Sequence, residues 1–220
     1  MPGVLTPKVD TWAFAKQSWL TSINPRVLAF DYSISLADGE FSCRDLLQQG
    51  DVLVEALHSA RSGAPTRPLL GVSHSLGGLV LKQALCIANE QPHHYGSDLS
   101  SLAGLVFFGT PHKAPPKADT LASLLTILAG ASGSRKRIAI PEDRLATERT
   151  MLAQLATRFE GINISAPILT VSETKKTKVS DGLLKSKTLL VLPPPPFHGG
   201  ELLMLYTAIE QASLRGRGVS

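Results

Sequence analysis

Long apolar runs are missing from this 220-residue chain. The two longest near-continuous stretches, Leu102 to Gly109 and Leu121 to Gly130, are roughly half of the ~20 residues that a spanning helix needs, which argues against a transmembrane protein. Cysteine is scarce as well. Cys43 and Cys86 both fall in helix-like segments, and Met1-Pro-Gly-Val-Leu-Thr-Pro-Lys has none of the charged, apolar and cleavage regions of a signal peptide. A reducing, intracellular setting is therefore expected, in the cytoplasm or on an organelle surface such as that of the mitochondrion or endoplasmic reticulum, and not secretion. Aromatic residues make up only 5% and do not interleave with the basic clusters Arg135-Lys136-Arg137, Lys175-Lys176, and Lys185 with Lys187. The net charge of +4 and pI near 9.2 thus predict no nucleic-acid partner. Such clusters are commonest in solvated loops, and peripheral contact with an anionic membrane surface is the other partner they suit. Sequence repeats and low-complexity periodicity are absent too, which excludes solenoids and fibres.

What is present is a chain 43% apolar, with 18 Gly and 15 Pro scattered between short apolar runs. The length suits one domain over residues 1–220. Short apolar runs alternate with amphipathic stretches, the pattern of a mostly parallel sheet covered on both faces by helices. Arg26 to Tyr32, Leu69 to Ser73, Leu102 to Gly109, Pro167 to Ser172 and Thr188 to Leu192 read as five strands, the third continuously apolar as a central strand should be. Ser42 and Asp45 stand in a capping-box arrangement before a helix from about 43 to 61, and a second helix is expected from Leu76 to about Asn89. Residues 118–160 carry two helical patterns and read as a cap or excursion. Glu201 to about Ala212 reads as a closing helix.

The segment that carries chemistry is Leu70-Gly-Val-Ser-His-Ser-Leu-Gly-Gly-Leu-Val-Leu-Lys. A nucleophile elbow needs a strand turning sharply into a helix, a serine at the apex, and small residues two before and two after it. Ser75 fits the apex, Gly77 the position two after it, and Gly78 allows close packing of helix on strand. Ser73 stands where glycine is usual. The competing reading is an ordinary Gly-rich turn that holds an anion at a helix N-terminus. A P-loop is excluded because the Gly-Lys-Ser/Thr ending is missing, and a dinucleotide fingerprint because G-x-G-x-x-G is missing.

A serine hydroxyl needs a histidine to take its proton and an acid to orient that histidine. In α/β-hydrolases the chain order is Ser, acid, His. His58 lies within the first helix, His74 beside the serine, and His93 and His94 in a polar loop after the second helix. His198, after the last strand, is placed for the base; a surface histidine in a Pro-Gly loop is the alternative. His112, in Phe107-Phe-Gly-Thr-Pro-His, comes too early and reads as a structural or rim residue. Glu173, at the end of the fourth strand, is placed for the acid, with Asp181 as the fallback and an ordinary exposed strand-end carboxylate as the competing reading.

His74-Ser-Leu-Gly-Gly-Leu-Val-Leu-Lys-Gln-Ala-Leu, followed by Gly104-Leu-Val-Phe-Phe-Gly-Thr-Pro-His, resembles the serine esterases and lipases of the SERAC (serine-active-site-containing) type, abundant in fungi and often fused to NB-ARC, ankyrin or tetratricopeptide regions. Thr11-Trp12 to Trp19-Leu20, Arg26 to Tyr32 and Val171-Ser-Glu-Thr extend the likeness over most of residues 11 to 180. The resemblance implies an α/β-hydrolase fold and hydrolysis of carboxylic esters, with lipid-like substrates, no metal and no organic cofactor. It carries over Ser75 as nucleophile and Glu173 as acid. Two departures stand out. The family's strand and His-Gly loop before the Thr-Trp segment have no counterpart, so the chain reads as an N-terminally truncated relative with an exposed sheet edge where the leading strands would pair. That loop supplies one oxyanion donor, leaving the Leu76 backbone N–H, and losing a donor costs on the order of 10²–10³ in turnover. The family also has an acidic residue before its histidine, where this chain has Leu192-Pro-Pro-Pro-Pro-Phe-His-Gly-Gly. Two expectations follow: an esterase acting on small-molecule ester or lipid substrates, or a non-catalytic module of the same scaffold that binds a partner or regulates one. The oligomeric state is not legible.

Overall fold

The structure, a computed structural model, describes residues 5–7, 26–32, 42–112, 142–171, 178–179, 182–183 and 203–209. In chain order these form β1 (Leu5–Pro7), β2 (Arg26–Tyr32), α1 (Cys43–Arg61), β3 (Leu69–His74), α2 (Gly77–Glu90), α3 (Pro92–Ser100), β4 (Leu102–Phe108), α4 (Glu142–Glu160), β5 (Ile168–Val171), β6 (Lys178–Val179), β7 (Gly182–Leu183) and β8 (Leu203–Ile209). Six strands make one sheet in the order β1-β2-β8-β3-β4-β5, and β6 and β7 form a separate hairpin ladder. Five of the six are parallel, and β1 alone runs antiparallel, pairing Leu5 with Phe30. The protein is thus a mixed α/β domain with a parallel sheet flanked by helices. Four of the five strands read from the sequence stand within a residue or two of their expected places. The fifth, 188–192, and the first helix pattern of the 118–160 excursion lie outside the described residues.

Glu201 to Ala212 is not a closing helix. Residues 203–209 form β8, seated between β2 and β3 and parallel to both, with Leu203 opposite Arg26 on one side and Leu69 on the other. The apolar spacing of this segment suits a helix face, but Tyr206, Thr207 and Ile209 suit a pleated strand, and ladders on both sides outweigh a small helix preference. Among the described residues the sheet's outer strands are β1 and β5. Pro7 sits on that outer strand, the place in a sheet where proline is tolerated.

Among the described residues the crossover helices form one layer. The crossovers β2-α1-β3, β3-α2-β4 and β4-α4-β5 all step in the same direction along the sheet, and right-handed crossovers that never reverse direction lay their helices on one face. Accordingly α1, α2 and α4 pack against one another as a single layer. Beneath them lies the core, from Leu28 and Phe30 on β2 through Leu46 and Leu53 on α1 to Leu79, Val80, Leu105 and Phe107. Strand β4 is paired on both sides but stands one place in from the edge, and Leu102 and Ala103 are only half-buried.

Helix α1 begins as its capping pattern predicts, with Ser42 Oγ accepting the Asp45 N–H at 3.2 Å. A second anchor comes from far along the chain: Glu148 on α4, itself buried, accepts the Cys43 N–H at 2.6 Å and ties the two helices together. His93 and His94 lie in helix α3, not in a loop, with Pro92 at its first position. Cys43 and Cys86 are both free and buried, and burial pushes the Cys86 thiol up to about 11. Among the described residues no helix is long and apolar enough to cross a membrane.

Candidate active site

Strand β3 ends at His74 and α2 begins at Gly77, so only Ser75 and Leu76 make the turn. Reversing direction in two residues forces an uncommon backbone conformation. Ser75 adopts φ +52°, and among the described residues it is the sole non-glycine with positive φ. An L-residue held there costs on the order of 1–3 kcal/mol, so the surroundings must over-determine it. They do so through the backbone: the Ser75 N–H donates to the Phe108 carbonyl at 2.8 Å, and its own carbonyl accepts the Gly78 N–H at 3.1 Å.

Gly78 is explained by what stands opposite. A Cβ added there would lie 2.1 Å from Thr110 Oγ1 and 2.3 Å from Thr110 Cγ2, so only glycine lets the first turn of α2 close on the segment after β4. Gly77 occupies the first helical position and is buried. Ser73, where glycine would be usual, is fully buried, and its Oγ donates a long 3.4 Å bond to the Val106 carbonyl. Serine is thus accommodated by the neighbouring strand. After β4 the chain turns through Gly109 at φ +56°, whose N–H donates to the Val171 carbonyl at 2.8 Å. The Phe-Phe-Gly-Thr-Pro-His segment is thereby held against the turn from β3 to α2 on one side and β5 on the other.

The start of α2 has no side-chain cap and no acidic residue in its first turn, and the Leu76 N–H has no acceptor among the described residues. A helix N-terminus in that state favours developing negative charge. Ser75 itself is only 5% exposed.

Of the other expected site residues, His198, Glu173 and Asp181 lie outside the described residues. His112 lies within them and acts as a packed residue: its Nε2 is 3.2 Å from Thr170 Oγ1 and its ring stands edge-on to Phe107. Burial, with a smaller push from the Lys82 charge, lowers its pKa to about 4, so the ring is neutral at pH 7. His58 is bound to Asp98, with Nδ1 2.7 Å from Oδ2, at the opposite end of α1 from its Ser42 cap. Thr110 was not singled out from the sequence. Its Oγ1 is buried without a partner among the described residues, and its place in Gly-Thr-Pro-His was the available signal. No group of three or more metal-ligating side chains occurs among the described residues.

No protein-family model matches the chain, and no solved structure is significantly similar. Curated proteins do match. Over 140 residues the chain is 30% identical to Protein SERAC1 of Danio rerio, covering 58% of this chain and 20% of that protein. Over 109 residues it is 29% identical to Protein SERAC1 of Bos taurus and 28% identical to that of Homo sapiens, covering 47% of this chain and 16% of each relative. The chain thus spans a fifth or less of the length of the curated relatives it matches. The likeness is a distant, partial homology to the SERAC1 proteins.

Proposed function

We propose that the chain is a serine hydrolase of carboxylic esters with lipid-like chains, built on an α/β-hydrolase-type core. The observation that carries this reading is the strained φ of Ser75 at the two-residue turn between β3 and α2, the conformation that lifts a nucleophile to the apex of an elbow. The distant homology to SERAC1 proteins supports it. In this reading Ser75 Oγ attacks the ester carbonyl while His198 takes its proton. The Leu76 N–H receives the oxyanion, the alcohol leaves with the proton from His198, and water activated by the same imidazole releases the acid. Glu173 orients His198, with Asp181 as the alternative. No metal or organic cofactor enters the chemistry. The basic clusters suit peripheral contact with an anionic membrane surface, where lipid esters are found.

One observation favours the second reading, a non-catalytic module that binds a partner: the 5% exposure of Ser75 leaves little room for an ester to approach. A fluorophosphonate probe separates the two. Covalent labelling of the full chain that disappears in Ser75→Ala supports the hydrolase. Folded protein that takes no label at any pH between 6 and 9 sinks it in favour of the module.

A further inference from the structure

Thr110 carries a polar group that the fold leaves unused. The residue is only 7% exposed, yet its Oγ1 has no hydrogen-bond partner among the described residues. Buried hydroxyls normally find a partner, because one left unpaired has given up its hydration for nothing.

The backbone sets where this hydroxyl stands. The Ser75 N–H donates to the Phe108 carbonyl at 2.8 Å, which fixes the end of β4 against the turn from β3 to α2. Gly109, at φ +56°, then redirects the chain and delivers the next side chain, Thr110, to the first turn of α2. There Thr110 Oγ1 takes the place that a Gly78 Cβ would need. Cα–Cβ bonds on an α-helix lean toward its N-terminus, so the hydroxyl stands beside the helix at a level N-terminal to the Gly78 Cα. From Gly78 back to Leu76 is ~3 Å of helix rise. The Leu76 N–H and the Thr110 hydroxyl thus share one turn of α2, both without an acceptor among the described residues, and no acidic residue stands in that turn.

We propose that Thr110 is a second oxyanion donor at Ser75, beside the Leu76 N–H. This rests on the hydrolase reading of Ser75. As Ser75 Oγ adds to the ester carbonyl, the π electron pair moves onto the carbonyl oxygen, and that oxygen accepts hydrogen bonds from the Leu76 N–H and the Thr110 O–H. The threonine keeps its proton throughout. When the carbonyl re-forms and the bond to the alcohol oxygen breaks, the hydroxyl is released. A donor that is unpaired at rest has no bond to break before it serves, and one shielded from water acts more strongly on developing charge.

The test is hydrolysis of p-nitrophenyl butyrate by the full chain, with the urea midpoint of each variant measured alongside. Thr110→Val keeps the shape and removes the hydroxyl. Its kcat should fall roughly 10²-fold, the order found when one oxyanion donor is removed, while KM moves less than about threefold because the bond forms only in the transition state. Its urea midpoint should be unchanged or raised, since the group lost had no partner. Thr110→Ser, which restores the hydroxyl, should keep kcat within about fivefold of wild type. Wild-type kcat in Thr110→Val, or an equal loss in Thr110→Ser, overturns the assignment. So does a lowered urea midpoint in Thr110→Val, or its failure to fold, because the hydroxyl would then be holding the fold together. Wild type that hydrolyses no more ester than Ser75→Ala overturns the hydrolase reading and this assignment with it. Hydrolysis lost in Ser75→Ala and kept in Thr110→Val overturns the assignment alone.

Discussion

Arg61 and Lys82 are equally buried, each 2% exposed, and their surroundings treat them in opposite ways. Arg61 Nε donates to Asp98 Oδ1 at 2.8 Å, and its Nη2 reaches the carbonyls of Pro65 at 2.7 Å and Arg67 at 2.8 Å together with Ser101 Oγ. The second oxygen of Asp98 is taken by His58. A planar fork thus binds the end of α1, the turn to β3 and the end of α3 into one unit, which is the use for which guanidinium is suited. Lys82 has two aromatic faces, its Nζ standing 5.6 Å from the Phe107 ring centroid and 5.1 Å from that of Phe159. The difference teaches that burial of a cation does not by itself mark structure or function; what marks it is whether the protein supplies the counter-charge. At Arg61 it does, and at Lys82 the described residues do not.

The largest effect expected from breaking this contrast is at Asp98. Asp98→Ala leaves Arg61 as a buried cation with only the carbonyls of Pro65 and Arg67 and the Ser101 hydroxyl as acceptors, a change that costs about 3–5 kcal/mol, a large part of a domain's total stability. Urea unfolding should show the midpoint fall accordingly. In the double variant Arg61→Met with Asp98→Leu the pair is gone and apolar volume replaces it, so most of that loss should return. A double variant no more stable than Asp98→Ala would show that the pair matters through its bonds to the turn and Ser101, and the contrast with Lys82 would lose its electrostatic basis.

Lys82 should behave in the opposite sense. Lys82→Met removes a charge that has no counter-charge bonded to it among the described residues, so it should leave stability unchanged or raise it by on the order of 1–2 kcal/mol at pH 7. The pH dependence gives the sign independently. Burial lowers the folded-state pKa from 10.5 to about 8, so the unfolded chain binds more protons between those values. Stability of the wild type relative to Lys82→Met should therefore rise with pH from about 8 to about 10.5 and be flat below 7.5. A difference independent of pH over that window would mean that the ammonium is already satisfied.

How legible was this in the sequence? Strand β2, helix α1 with its Ser42 cap, strand β3 and the start of α2 were readable because each is signalled locally, by alternation, by 3- and 4-residue spacing, or by a small-residue turn. The turn from β3 to α2 was readable down to Ser75, whose positive φ is what a two-residue reversal demands. Helix α3 was missed because His93, His94 and Ser97 look like loop residues, although Pro92 at its first position was a usable signal. Strand β8 was missed for a stronger reason: its place between β2 and β3 is a tertiary fact, set by two neighbours more than 100 residues away, and no local spacing carries it. The counter-charge of Arg61 was invisible in the same way, since Asp98 becomes its partner only when α3 packs beside α1. Of the residues proposed for catalysis, Ser75 was singled out by its small-residue turn, whereas His198, Glu173 and Asp181 rest on chain order and resemblance alone.

The smallest expected effect sharpens the comparison from outside the core. Arg158 on α4 also spreads its guanidinium over several acceptors, here with Nε and Nη2 each 2.9 Å from a Glu90 oxygen and Nη1 2.9 Å from Gln83 Oε1. Yet the two partners are exposed, 37% and 51% of their side-chain surface. Water competes for every one of these bonds, so Glu90→Gln should cost under about 1 kcal/mol, against several at Asp98. The loss should also shrink as salt is raised from 0.1 to 1 M, because the screening length falls from roughly 10 Å to 3 Å, whereas the loss in Asp98→Ala should hardly move. Urea midpoints for both variants at the two salt concentrations decide the matter. Equal losses, or equal salt sensitivity, would mean that the fork and not its burial sets the strength of these arginines, and Lys82 would then differ from Arg61 only in lacking a fork.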